Sequence, residues 1–456
     1  MDALDRYLED HKPQFLENLK AALRIPSVSA QPQHKADVQR CAEHIAAHLK
    51  KIGMTRAEVV KTPGHAVVYA EWLGAPGKPT ALLYGHYDVQ PVEPLELWKT
   101  PPFEPTERDG KLYARGACDD KGQVYMHLSA IEAHLAVNKK LPINLKLVIE
   151  GEEEAGSESL EGFLTGRRKE LDADVILVSD TGMPAPDQPA LTYALRGICY
   201  TQIEIVGPSR DLHSGVFGGA VKNPANALAG IIAALMDADG RITVPGFYDK
   251  VRELTPAERE AYAAVPFDEK GFIAETGVVQ PFGEKGRSTL ERIWSRPTLD
   301  VNGMWSGYTG EGSKTVLPSF AAAKVSMRLV PDQLPDKVAD QFEAYLKKVA
   351  PRTVSVTLTR MHGGRPWMTG FDNPFVQAAG RAIEQGFGKA PVFNREGGSI
   401  PVVSTFEEAL GVPSVLFGVG LPDENAHAPN EKLDLANFHD GIIASAYLYD
   451  EVGKLR

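Results

Sequence analysis

Short apolar runs that stop at a histidine or an acid recur through the first 180 residues, and they constrain the fold more than any overall property of the chain. Val67–Trp72, Thr80–Val89, Ile143–Glu150 and Val175–Val178 have strand length, and the longer apolar pattern of Asp120–Val137 reads as a helix among them. Apolar strands separated by helices predict an α/β fold, a mostly parallel sheet sandwiched by helices. Ligands of such sheets collect beyond the carboxyl ends of the strands. There the sequence places His86-Tyr87-Asp88, Gly151-Glu152-Glu153-Glu154-Ala155-Gly156-Ser157 and Ser179-Asp180, with Asp119 just before the helix.

The pattern changes at Leu195-Arg196-Gly197. Strand Ile198–Val206, helix Pro224–Met236, strands Thr298–Gly303 and Ala323–Val330, helix Pro335–Val349 and strand Val354–Arg360 follow. This β-α-β-β-α-β order predicts an inserted ferredoxin-like α+β domain. The expected division is residues 1–196 and 368–456 for one domain and 197–367 for the other. A polar, helix-forming stretch, Tyr248 to Arg296, interrupts the insert with no assignable role. After Pro366-Trp367 the first pattern resumes with helix Asn373–Phe387, strands Val392–Arg395 and Ser414–Val419, and helix Asn437–Val452, which are expected to rejoin the first sheet. Ala3–Ala22 and Ala36–Ile52 read as outer helices, the second closed by Gly53.

Composition excludes several function classes. The 456 residues carry a net charge of −11, which argues against nucleic acid or an anionic membrane surface as partner and leaves small molecules or peptides. No stretch reaches the roughly 20 apolar residues of a membrane span, and the start of the chain does not resemble a signal peptide. Cys41, Cys118 and Cys199 are widely spaced and read as free thiols, so a cytoplasmic location is expected.

The strand-end groups His86, Asp119, Glu153, Glu154 and Asp180, with the distant His427, form a mixed imidazole and carboxylate set suited to zinc or manganese. Two histidines and three carboxylates suffice for two ions if one carboxylate bridges. Two ions at roughly 3.5–4 Å can activate a water and polarise a carbonyl together, and a further carboxylate is then needed to move the proton. Taken singly, His-x-Asp reads more readily as a capped strand end, and three adjacent glutamates as a solvated turn. Gly-x-Ser-x-Gly and catalytic-cysteine signatures are missing, which disfavours covalent catalysis. Lys314 does not directly follow the last glycine of Gly307–Thr315, so that segment reads as a flexible loop and not a phosphate cradle. Cys118, His127 and His134 read as packing or surface groups.

Five segments taken together, Gly85–Pro91, Arg115–Gly122, Glu150–Ser157, Asp211-Leu212-His213-Ser214-Gly215 and Arg395–Pro401, closely resemble the dinuclear-metal aminoacylase and carboxypeptidase superfamily. The similarity extends over nearly the whole chain and is strongest to its branch of nonspecific and carnosine dipeptidases. The resemblance implies that His86 and Asp180 bind one ion, Glu154 and His427 the other, and that Asp119 bridges. It implies that Asp88 orients His86 and that Glu153 is the general base, with Glu152 leaving a one-residue ambiguity. It also implies a cis Asp119–Asp120 bond, an oxyanion-stabilising role for His213 in a partner subunit's site, a carboxylate-binding role for Arg328, and substrate contacts from Asn302, Gly398 and Ser399. The expected protein is a homodimeric dipeptidase paired through the inserted lid domain and using two divalent ions, zinc first and manganese second. A deacylase of N-acyl amino acids is the rival on the same scaffold.

Overall fold

The computed structural model describes residues 3–398 and 400–455. Thr80–His86, Asn144–Glu150 and Val175–Val178 lie side by side and parallel at the centre of a nine-stranded sheet, with Ser414–Leu416 parallel to the last of them. Antiparallel strands Val67–Trp72 and Arg56–Val60 finish one edge. Ala190–Leu195 lies toward the other edge, flanked by Val392–Glu396 and Trp367–Met368. Alternation along the strands supplies two cores. Ala81 and Leu83 face helices Lys35–Ile52, Lys121–Asn138 and Leu435–Val452, while Leu82 and Tyr84 face helices Leu160–Gly166 and Pro401–Leu410. Every polar strand terminus named above is thereby carried to one rim.

The second sheet is antiparallel, in the order Thr298–Ser306, Phe320–Leu329, Gly197–Val206, Ser355–Gly364. Helices Pro224–Ala233 and Pro335–Val349 cover one face, against Ile203, Ile205, Val325 and Met327. In chain order the strands stand 2-3-1-4, the ferredoxin-like arrangement. Its outermost strand bulges between Val301 and Gly303, at Asn302.

The Tyr248–Arg296 stretch holds three short helices, Pro256–Ala264, Glu269–Thr276 and Thr289–Trp294. Capping boxes start two of them: Thr255 with Glu258, and Ser288 with Glu291. They dock on the large sheet, where Leu254, Tyr262, Val265 and Leu290 pack on Ala190, Tyr193, Ala194 and Val392. Buried Glu258 pairs there with buried Arg395, which also donates to the Tyr193 hydroxyl at 2.8 Å.

Some elements differ from the sequence reading. The first helix is two, Ala3–Asp10 and Lys12–Leu23, because Pro13 starts a new helix better than it continues one. The Thr80 strand stops at His86, so Tyr87–Val89 form the loop that begins the site, and the Ser414 strand is only three residues long. Among the described residues no helix is long and apolar enough to cross a membrane.

Candidate dinuclear metal centre

His86 closes its strand with a side chain shut off from solvent. Its Nδ1 faces the Asp88 carbonyl at 3.2 Å and the Asp88 carboxylate at 3.4 Å. That support turns Nε2 toward Asp119 Oδ1 at 3.1 Å and Asp180 Oδ2 at 4.0 Å. The other Asp119 oxygen lies 3.0 Å from His427 Nε2, which is 3.2 Å from Glu154 Oε2. Two groups result, His86 with Asp119 and Asp180, and Asp119 with Glu154 and His427, each with its candidate ligand atoms within 4.8 Å of one another. Asp119 belongs to both, as a bridging carboxylate must. The nitrogen and oxygen donors suit a borderline divalent ion such as zinc.

Two of the candidate ligands, His86 and Glu154, are held from behind. The Asp88 carboxylate does more than face His86: its two oxygens accept the backbone N–H groups of Glu153 at 3.2 Å and Glu154 at 3.0 Å. Gln90 donates to Glu154 Oε2 at 2.7 Å. Glu152 is spent elsewhere, accepting from the amides of His65 at 2.8 Å and Ser159 at 3.2 Å. Of the three glutamates, only Glu153 and Glu154 are thus left to the site. His427 takes a left-handed backbone, φ 61°, uncommon for a residue other than glycine. The Asp119–Asp120 peptide bond is cis.

Sequence reasoning missed the residue that holds the Asp119 loop. Glu431 is fully buried and pairs with buried Arg115 at 2.7 Å. Its carboxylate also accepts from the amides of Gly116 at 2.9 Å, Cys118 at 3.0 Å and Asp119 at 3.1 Å. The one signal available was Arg115 itself, since a buried arginine requires an acid, but nothing near it in sequence named the partner. His127, read as a packing or surface group, is buried and bonds the Ser179 hydroxyl at 2.7 Å, next to Asp180. His134 is likewise buried, against the carbonyl of Ala446.

The other described residues predicted for the site belong to neither group. His213 is exposed in the inserted domain, its ring nitrogen accepting from the Gly215 amide at 3.0 Å. Asn302 is exposed on the bulge. Gly398 lines a cavity of about 420 Å³ beside the metal groups, together with Asp119, Asp180, Glu396 and Trp294. Arg328 lines a neighbouring cavity, and Ser399 lies outside the described residues.

The groups titrate abnormally. Burial opposes ionisation of Asp119, yet hydrogen bonds from His427 and His86 outweigh it and hold the carboxyl well below the usual range. Burial, helped by the charges of Asp180 and Glu154 and opposed by His86, pushes Glu153 up to about 8. Burial and Asp119 push Asp180 up to about 7. Hydrogen bonds to Asp119 and Glu154 raise His427 to about 10. An ion must therefore displace the protons of His427 and His86, the latter held, against its burial, well above its usual range by hydrogen bonds to Asp119 and Asp88, and, below about pH 7, that of Asp180. Ion affinity of the metal-free protein should weaken by at least about tenfold per unit as pH falls from 8 to 6. Calorimetric zinc titrations across that range check this; a pH-independent affinity contradicts it.

The family model for "Peptidase family M20/M25/M40" matches residues 82–451. The Cys-Gly metallodipeptidase of Schizosaccharomyces pombe is 36% identical over 457 residues, covering 97% of this chain and 96% of its own. The crystal structure of human carnosine dipeptidase 1 superposes with a TM-score of 0.81 at 32% identity, covering 100% of both chains. An M20 metallo-carboxypeptidase from Sulfolobus solfataricus gives 0.84 at 33% identity, covering 97% of this chain and 99% of that one. With two clusters sharing one carboxylate and a match across most of its length, the chain belongs to the M20/M25/M40 family of metallopeptidases.

Proposed function

We propose that the protein is a broad dipeptidase that uses two divalent ions, zinc first and manganese second. The single observation that carries this reading is Asp119, shared between a His86/Asp180 group and a Glu154/His427 group. The names of relatives that cleave Cys-Gly and β-Ala-His point the same way for substrate size. Bound by these five residues, the ions would supply an acidified water and an electrophile for the amide carbonyl.

Glu153, in neither ligand group and beside both, takes the proton of the attacking water and delivers it to the leaving nitrogen. Asp88 fixes its backbone and the His86 ring. Arg328 takes the substrate's free carboxylate, a task for which the planar guanidinium is suited. Asn302, Gly398 and Ser399 complete the substrate contacts, and His213 of a second copy stabilises the oxyanion. Residues 197–367 act as the lid and dimerisation domain, between the catalytic segments 1–196 and 368–456. Support for pairing comes from the outermost strand of the four-stranded sheet, which displays Val301, Met304 and Trp305 to solvent. Three buried free cysteines suit a reducing, cytoplasmic setting.

The test is turnover of Ala-Leu and N-acetyl-leucine by metal-stripped protein, with zinc or manganese restored in turn. Ala-Leu hydrolysis regained with one ion is expected. Cleavage of the acylated compound alone overturns the dipeptidase reading.

A further inference from the structure

Arg196, Arg292, Arg296 and Arg328 line one cavity of about 310 Å³. It adjoins the metal-side cavity: Arg196 Nε donates to the Gly397 carbonyl at 2.9 Å, and Ile293 lines this cavity while the next residue, Trp294, lines the other. Two acids share the space. Glu284 is matched by a two-pronged bond from Arg296, at 2.7 and 2.8 Å. Asp300, exposed and accepting from the Thr298 hydroxyl at 3.0 Å, also lines the cavity, and its charge acts on Arg196.

The cavity is therefore cationic by about two charges in a chain whose net charge is −11. Arg196 registers the crowding, since burial and the charge of Arg328 lower its pKa to about 10. The volume, roughly ten waters' worth, exceeds the need of a lone carboxylate. Met236, Ile242 and Leu299 give it an apolar wall.

We propose that this cavity receives the C-terminal residue of the dipeptide and selects one with a carboxylate side chain. Arg328 holds the α-carboxylate, Arg292 and Arg196 hold the side-chain carboxylate, and the apolar wall takes the methylenes. The inference rests on the dipeptidase reading above and adds to it a substrate class, dipeptides ending in glutamate or aspartate. It also gives the inserted stretch a task, because Arg292 comes from its last helix. Paired guanidiniums suit a carboxylate in geometry as well as in charge.

The experiment measures kcat/KM of the metal-loaded enzyme for Ala-Glu, Ala-Gln, Ala-Leu and Ala-Lys at low and high salt. Ala-Glu should exceed its isostere Ala-Gln by at least about tenfold at low salt, the scale of one charge-assisted hydrogen bond, with Ala-Lys lowest. The gap should narrow as salt screens the charges, and Arg292→Gln should bring the ratio toward one. An Ala-Glu rate no better than Ala-Gln, or a wild-type ratio insensitive to salt, overturns the inference while leaving the dipeptidase reading intact. If none of the four is cleaved by protein holding its ions, the dipeptidase reading falls and this inference with it.

Discussion

Glu153→Gln is expected to lower kcat by about 10²- to 10⁴-fold while leaving the ion content of the protein unchanged. The separation follows from geometry. The Glu153 side chain belongs to neither ligand group, and its backbone is held by Asp88 through an amide that the substitution does not alter. Gln keeps the size of the side chain and removes its ability to accept the water's proton. Burial and neighbouring acids raise the carboxyl to about 8 in the ion-free protein; two nearby cations favour the charged form and would draw it down toward the range a base needs at neutral pH. Steady-state kinetics with elemental analysis of the same sample is the check. Unchanged turnover refutes the assignment, and loss of ions would make Glu153 a ligand instead.

Glu431→Ala should be the most destabilising single change in the site, by about 3–5 kcal/mol, the cost of leaving one half of a buried ion pair behind. Arg115 would remain buried without its 2.7 Å partner, and the amides of Gly116, Cys118 and Asp119 would lose their shared acceptor. Since those amides set the path of the chain into Asp119, ion affinity should also fall by about 10- to 100-fold. Denaturant unfolding of the ion-free protein measures the first effect and zinc titration the second. Glu431→Gln, which keeps an acceptor but not the charge, should fall between wild type and Ala. A loss below about 1 kcal/mol in the Ala variant would show that the loop holds its shape without Glu431.

The two groups were legible in the sequence because most of their members close apolar runs or open a helix, positions that an α/β sheet gathers on one rim. Supporting residues were not. Glu431 lies 312 positions from Asp119, and only the folded loop shows that one carboxylate gathers a guanidinium and three amides. The choice between Glu152 and Glu153 was open for a similar reason: adjacent side chains diverge according to backbone hydrogen bonds, here to Asp88 on one side and to His65 and Ser159 on the other. Strand Ala190–Leu195 escaped notice because all six residues are buried, with no alternation to mark them, and because it abuts the point where the pattern changes. The capping signals Thr255-x-x-Glu258 and Ser288-x-x-Glu291 were present in the sequence, but where those helices dock depends on Glu258 meeting Arg395, 137 residues away.

That docking has a mechanical consequence. The chain passes between the two sheets at Arg196–Gly197 and again near Pro366–Trp367, which alone would make a two-stranded hinge. The inserted stretch leaves the four-stranded sheet, clasps the nine-stranded one through Glu258, Tyr193 and Arg395, and returns at Thr298. Rotation of one sheet against the other is thus leashed at a third point. It must either rupture a desolvated ion pair or be absorbed by bending of the segments on each side of the clasp.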